Sequence, residues 1–471
     1  MTIDLNERFK KAVSLLETGK THEDFTEAED IFNGLLNLDR EAPALLLGIA
    51  GVFARKKYNA LAIILLKYLL EKNLDMSDAW NNLGCLYRAD RINLPESIEA
   101  FKKALEFSQT DKDKAIALGN LGSCYVAHSE AKKAIEYLSQ AIKLDDTNPH
   151  TFWNRSLAYL ELGDYMAGWQ DYESGVRTTD RMDRNYHNEG TPKWDGETGK
   201  TVVVYGEQGI GDEIMFASIL PDMMKDCRVI LDAHPRLYQL FRNSFPGIPV
   251  YGTRKDSSLH WAQFHQIDAR IPIGSLGKFY RHKKENFPGV PFLKADKKIT
   301  DKYIAKLAML GEKIKIGISW KGGTKETNMH ERNIKLEQWL PLFKAIDADF
   351  ISLQYHADAQ EQLDKFEKQH NIHIHHWQDT IDDYDETAGL VSLLDYIVSV
   401  PQSVVHLAGA LGANTIQLTP KHAMWQMGVY GEDMPWYKSV KNIWQDESCT
   451  WEPVIKQATE ELCKNLSAKT M

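Results

Sequence analysis

The sequence predicts two kinds of structure in one chain of 471 residues. An all-α array of paired helices occupies residues 1–176. After a linker at 177–200, an α/β module follows in two halves, 201–305 and 306–471. Three observations predict this. A helical pattern recurs with a period near 34 residues through the first part. Short β-branched runs then alternate with helical stretches, the mark of a mostly parallel sheet. Two of those runs, one in each half, end in glycine-rich loops, where open α/β sheets build their sites.

Bulk properties exclude several function classes. Composition is that of a soluble globular protein, 43% hydrophobic and 26% charged, with length for two to four domains. A net charge of −10 argues against binding nucleic acid through general electrostatics. The start, MTIDLNERFKK, lacks the apolar stretch of a signal peptide. The longest apolar run, Ala42 to Ala54, is stopped by Arg55-Lys56-Lys57, so no transmembrane segment is expected and the location expected is cytoplasmic. Five scattered cysteines without a Cys-x-x-Cys pair read as reduced thiols.

In the array, Asp78-Ala79-Trp80-Asn81-Asn82-Leu83-Gly84-Cys85-Leu86-Tyr87 carries the Trp-x-x-Leu-Gly-x-x-Tyr pattern of a tetratricopeptide repeat. Leu121, Gly122, Tyr125, Ala134 and Ala141 mark the next unit, and Phe152, Ser156, Tyr159, Gly163, Gly168 and Gly175 the one after. About five units begin near Phe9, Pro43, Ser77, Ala115 and Pro149. The small position of the first helix reads Leu16, Ala50, Gly84, Gly122, Ser156, and that of the second Ala28, Ala62, Ser97, Ala134, Gly168. Such stacks form a concave surface that holds a peptide or protein, so a protein partner is expected. A scaffold or dimerisation element is the alternative.

The first half opens with Thr201–Tyr205, a β-branched strand run. Gly206, Gly209 and Gly211 follow, and a helix with Asp212 and Glu213 in its first turn, where carboxylates suit the helix dipole. No Gly-Lys-Ser/Thr follows, and Ile214 stands where a dinucleotide fingerprint needs its third glycine. Further strands are expected at Arg228–Asp232, Val250–Tyr251 and Gln266–Ile267, and helices at Glu213–Met224 and Leu237–Ser244. His234 reads as a polar strand end. The basic segment from Gly274 to Leu293 reads as a solvated loop, with an anionic acceptor as the alternative.

The second half opens with a strand at Lys313–Ile318, running into Ser319-Trp320-Lys321-Gly322-Gly323. Strands at Phe350–Leu353, Leu393–Val400 and Thr415–Leu418 follow, with helices at Leu336–Ile346 and Val404–Leu411, the latter closed by Gly412. Their carboxyl ends should bring Lys321, Arg332, Gln354, Ser403 and His406 to one cleft. Two cations and a helix N-terminus make a diphosphate site without metal. The run His370-Asn371-Ile372-His373-Ile374-His375-His376 reads as a half-exposed strand by its alternation, so no metal is assigned. Trp425, Trp436, Tyr437, Trp444 and Trp451 are expected to pack the seam between the halves.

Two α/β halves sharing a cleft describe the GT-B glycosyltransferase architecture. GEQGIGDEIMFASILP resembles the amino-terminal signature of the ADP-heptose:lipopolysaccharide heptosyltransferase family. With KIGISWKGG, HERNIKLEQWLPLF, FISLQ, SVVHLAGALGANTIQLTP and MPWYKSVKNIWQ in order, the chain resembles bacterial proteins that fuse tetratricopeptide repeats to such a module. The resemblance implies transfer of a hexosyl- or heptosyl-type sugar from a nucleotide-diphosphate sugar, a co-substrate, with no cofactor, to a hydroxyl on a protein or glycan. It implies Asp212 as catalytic base, with Gly209, Gly211 and Glu213 on the acceptor-side loop. The diphosphate would lie against Arg332, Lys321 and the helix starting at Ser403, with Gln354 and His406 nearby. The chain departs from the family at Val400-Pro401-Gln402, where the heptosyltransferases carry Val-Asp-Thr; Gln402 retains hydrogen-bonding capacity. The transfer implied is inverting and metal-independent. The alternative is a non-catalytic repeat scaffold on a degenerate platform.

Overall fold

The computed structural model describes residues 43–89, 94–178, 180–187, 190–323 and 329–470, with scattered positions before 35. The repeat start near Phe9 and the small position Leu16 lie outside the described residues. The chain divides into two compact units, Met1–Thr151 and Phe152–Met471.

In the first unit the helix pairs are Pro43–Arg55 with Asn59–Lys72, Ser77–Ala89 with Leu94–Glu106, and Asp111–Ala127 with Ala131–Leu144. The helix Asp111–Ala127 starts with a side-chain cap. Thr110 accepts from the Asp113 amide at 3.1 Å, with Asp111 and Asp113 in the first turn. The small positions are set by contact. A β-carbon on Gly84 would lie 2.7 Å from the Phe101 ring, and one on Gly122 would lie 2.4 Å from Leu138. Ser97 adds a hydrogen bond to the Gly84 carbonyl at 2.7 Å.

The second unit begins inside the array's last repeat. Its second helix, Tyr165–Tyr172, belongs to the α/β core. Trp169 is 1% exposed, and its indole N–H donates to the Arg281 carbonyl at 2.7 Å. The segment expected as a linker is likewise tied down. The Arg270 and Trp194 amides donate to the Pro192 and Arg270 carbonyls at 2.8 and 2.9 Å.

Four parallel strands form the first half: β1 Thr201–Tyr205, β2 Arg228–Asp232, β3 Val250–Tyr251 and β4 Ala269–Pro272, in the order β3-β2-β1-β4. β4 begins beyond the expected Gln266–Ile267. The ladder starts only after Asp268, whose carboxylate accepts from the Thr201 amide at 2.7 Å. The expected helix at 213–224 is two, Ile210–Ala217 and Leu220–Asp226, because Pro221 starts a new helix and cannot continue an old one.

Among the described residues six parallel strands form the second half: β5 Ile314–Ser319, β6 Ala348–Ser352, β7 Ile374–His376, β8 Tyr396–Ser399, β9 Thr415–Thr419 and β10 Val440–Trp444, in the order β10-β9-β8-β5-β6-β7. The chain runs outward from β5 to β7, then crosses back to β8. The order therefore reverses between β5 and β8, and a crevice opens there at the carboxyl ends. The histidine run supplies edge strand β7, with His373 bonded to Glu367 at 3.0 Å. An all-α region of paired helices is thus followed by an α/β module of two parallel sheets. Among the described residues no helix is long and apolar enough to cross a membrane.

Candidate active site

A cavity of about 410 Å³ lies between the carboxyl ends of the two sheets, lined from both halves. From the first half come Gly209, Gly211, Asp212 and Arg236. From the second come Arg332, Gln402, Ser403 and His406, with Tyr355, Tyr384, Gln426 and Met427.

The first wall is the turn after β1. Its left-handed residue is Gln208, at φ 56°, and not one of the three glycines. The glycines serve close approach instead. A β-carbon on Gly211 would lie 3.0 Å from His406 Cδ2 and 3.3 Å from Ser403 Cα. The helices Ile210–Ala217 and Ser403–Leu411 thus meet at the floor of the cavity. Asp212 Oδ2 accepts from the Gly209 amide at 3.1 Å, and Oδ1 from Gln426 Nε2 at 3.0 Å. Burial in the cleft raises the Asp212 carboxyl above its usual range, opposed by these two hydrogen bonds.

The second wall is the N-terminus of the helix Ser403–Leu411, which starts after Gln402 and ends at Gly412 in the left-handed conformation. Its free N–H groups and dipole suit an anion. Buried Arg332 lies beside it and donates to the Pro401 carbonyl at 3.2 Å. Gln402 turns its amide nitrogen inward to Ser319 and Ser399. The Oε1 atoms of Gln402 and Gln426 are buried and lack a hydrogen-bond partner among the described residues.

Of the residues read from the sequence, Asp212, Gly209, Gly211, Arg332, Gln402, Ser403 and His406 come together on this cavity. Glu213, Lys321 and Gln354 stand behind its walls. Glu213 is fully buried, salt-bridged to Arg254 at 2.6 Å and raised to about 7 by burial. It accepts from the His234 amide at 2.7 Å. Lys321 Nζ points to Asp358 at 3.6 Å. Gln354 spends its amide on the second glycine loop, accepting from the Trp320 and Lys321 amides at 3.1 and 2.9 Å. His406 is lowered to about 4 by burial, so it is neutral near pH 7 and adds no charge. The basic segment stays off the cavity: Arg281 is buried against Asp222 at 2.8 Å.

Sequence reasoning missed Arg236, Tyr384 and Gln426. Arg236 is exposed, and its guanidinium sits 5.5 Å from the Tyr384 ring. Its position just after a strand end, beside His234, is the available signal. Nothing local marks Gln426, which reaches Asp212 across 214 residues of chain.

A tetratricopeptide-repeat family profile matches residues 75–147. Protein FlbA of Caulobacter vibrioides is 26% identical over 427 residues, covering 85% of this chain and 69% of the relative. Two solved structures are similar to parts of the chain. The glycosyl transferase family 9 protein of Veillonella parvula is 11% identical over 61% of this chain and 98% of its own, TM-score 0.42. The E. coli ADP-heptose lps heptosyltransferase II is 13% identical over 57% and 100%, TM-score 0.42.

The site offers a carboxylate of raised basicity on one wall and a buried cation with a helix N-terminus on the other. That pairing suits removal of a proton near a group that leaves as an anion.

Proposed function

We propose that the chain is a glycosyltransferase that moves a sugar from a nucleotide-diphosphate donor to a hydroxyl acceptor, with inversion and without a metal. One observation carries the reading: a single cavity is lined by Asp212 from one half and by Arg332 and the Ser403 helix N-terminus from the other. Asp212 takes the proton of the acceptor hydroxyl. The oxygen forms the new bond to the anomeric carbon, and the bond to the diphosphate breaks. The leaving diphosphate carries its charge to the helix N–H groups and Arg332. The orphan Oε1 atoms of Gln402 and Gln426 suit sugar or ribose hydroxyls, which are donors. The acceptor proposed is a protein or glycan, with the repeats holding a protein partner; the location proposed is cytoplasmic.

A panel of nucleotide sugars, read by released nucleoside diphosphate with EDTA present, tests this. One donor should turn over, and Asp212→Asn should lower kcat by about 10²–10⁴-fold with little change in nucleotide affinity. Equal turnover by variant and parent would remove Asp212 from the role. A second reading, a non-catalytic platform serving the repeats, is favoured by Pro401 and Gln402, which stand where the heptosyltransferases that the chain resembles carry Asp and Thr; the Gln402 amide nitrogen also faces inward, to Ser319 and Ser399. A thermal midpoint that no nucleoside diphosphate shifts supports that platform.

A further inference from the structure

Gln208 holds a left-handed backbone, at φ 56°, that side-chain-bearing residues adopt only where their surroundings over-determine it. Two side chains fix it. Tyr172 donates its hydroxyl to Gln208 Oε1 at 2.8 Å. Arg254, salt-bridged to Glu213, donates to the Gln208 carbonyl. The next residue, Gly209, gives its N–H to Asp212 Oδ2.

The other oxygen of Asp212 is held by Gln426. Gln426 follows Trp425, whose ring lies edge-on to Trp169 and Tyr172, with centroids 5.5 and 6.0 Å apart. Trp169 and Tyr172 share the helix Tyr165–Tyr172, which the 34-residue register assigns to the second helix of the last repeat. Both oxygens of the carboxylate are thus reached from that one helix, one through Gln208 and Gly209, the other through Trp425 and Gln426.

We propose that Tyr172 is a positioning residue for Asp212, so that the last repeat helix is a working part of the catalytic half. The inference rests on Asp212 being the base. The titratable and charged groups around Asp212 are Glu207, Arg254, Tyr172 and Tyr437, with Arg236, Arg332 and His406 on the same cavity. Tyr172→Phe leaves the others in place and removes one hydroxyl from the packed ring.

The full-length Tyr172→Phe variant and the parent are compared in three ways. Hydrogen exchange by mass spectrometry should speed up about five-fold over residues 206–212 and stay unchanged at β8, with the thermal midpoint preserved. Labelling of Asp212 by a water-soluble carbodiimide, which attacks the acid form, should shift its midpoint to higher pH, because a loosened Gly209 no longer holds the carboxylate. With whichever nucleotide sugar the panel yields, kcat should fall about ten-fold at unchanged donor KM. Unchanged exchange at 206–212 overturns the proposal, as does faster exchange with an unshifted labelling midpoint. If the parent turns over no nucleotide sugar, the glycosyltransferase reading falls. Exchange and labelling then still decide whether Tyr172 positions Asp212.

Discussion

Asp212 has an ordinary identity in an unusual setting. Burial disfavours its charged form, while Gln426 and the Gly209 amide favour it. As the proposed base, Asp212 must be ionised to act, so the acid limb of the pH–rate profile should lie above the value of about 4 expected for a free aspartate. Gln426→Met removes the larger of the two opposing hydrogen bonds and should move that limb to higher pH; a limb that stays put would refute the contact. Two buried histidines make a separate prediction. His406 and His234 are each lowered from 6.5 to about 4, chiefly by burial, with Lys255, Arg254 and Arg236 adding to the shift at His234. Their folded forms refuse protons that the unfolded chain takes up. The stability involved is fully present above pH 6.5 and is lost as pH falls towards 4, on the order of 3 kcal/mol for His406 and less for His234. Thermal midpoints measured across that window should fall, and His406→Gln should flatten part of the decline.

Between elements, close approach decides which positions are small. Gly122 lies where the helix Asp111–Ala127 meets Leu138, and Gly211 where the helix Ile210–Ala217 meets His406 and the Ser403 backbone. Gly122→Val and Gly211→Val should each cost about 1–3 kcal/mol through overpacking, read from urea unfolding. Their functional effects should differ. Gly211→Val pushes on the N-terminus of the Ser403 helix and should weaken nucleoside diphosphate binding several-fold in titration calorimetry. Gly122→Val should leave that binding unchanged. The same logic explains Gly206, where a β-carbon would lie 2.1 Å from the Glu213 carboxylate. The glycine loop was legible as a loop because strand, glycines and helix follow one another in sequence. That its glycines make room for side chains, while Gln208 takes the left-handed turn, depends on neighbours from distant segments.

At the scale of the whole molecule, repeat register and compact units do not share a boundary. The 34-residue period ends near residue 176, yet the second unit starts at Phe152. Trp169 and Tyr172 share a core with Phe216, Trp425 and Trp436. Arg181, also fully buried, pairs with buried Glu207 at 2.7 Å. A fragment of residues 152–471 should fold and melt cooperatively. One of residues 201–471 exposes that aromatic cluster and leaves Glu207 without its partner, a loss of about 3–5 kcal/mol. It should aggregate or show no cooperative melt by circular dichroism, and equal behaviour of the two fragments would disprove the assignment.

Sequence alone determined the local features: helix pairs from a period, parallel strands from β-branched runs, and Asp212 and Ser403 at element ends. Periodicity and capping act within a few residues, and the pattern records them. The tertiary structure decided what depends on long separations. It turned Lys321, Glu213 and Gln354 from the cavity to partners behind its walls. It brought Arg236, Tyr384 and Gln426 in, and it joined the last repeat helix to the α/β core. The reason is physical. A side chain's role follows from the charges and hydrogen-bond partners that folding places beside it, and those come from parts of the chain that no local pattern connects.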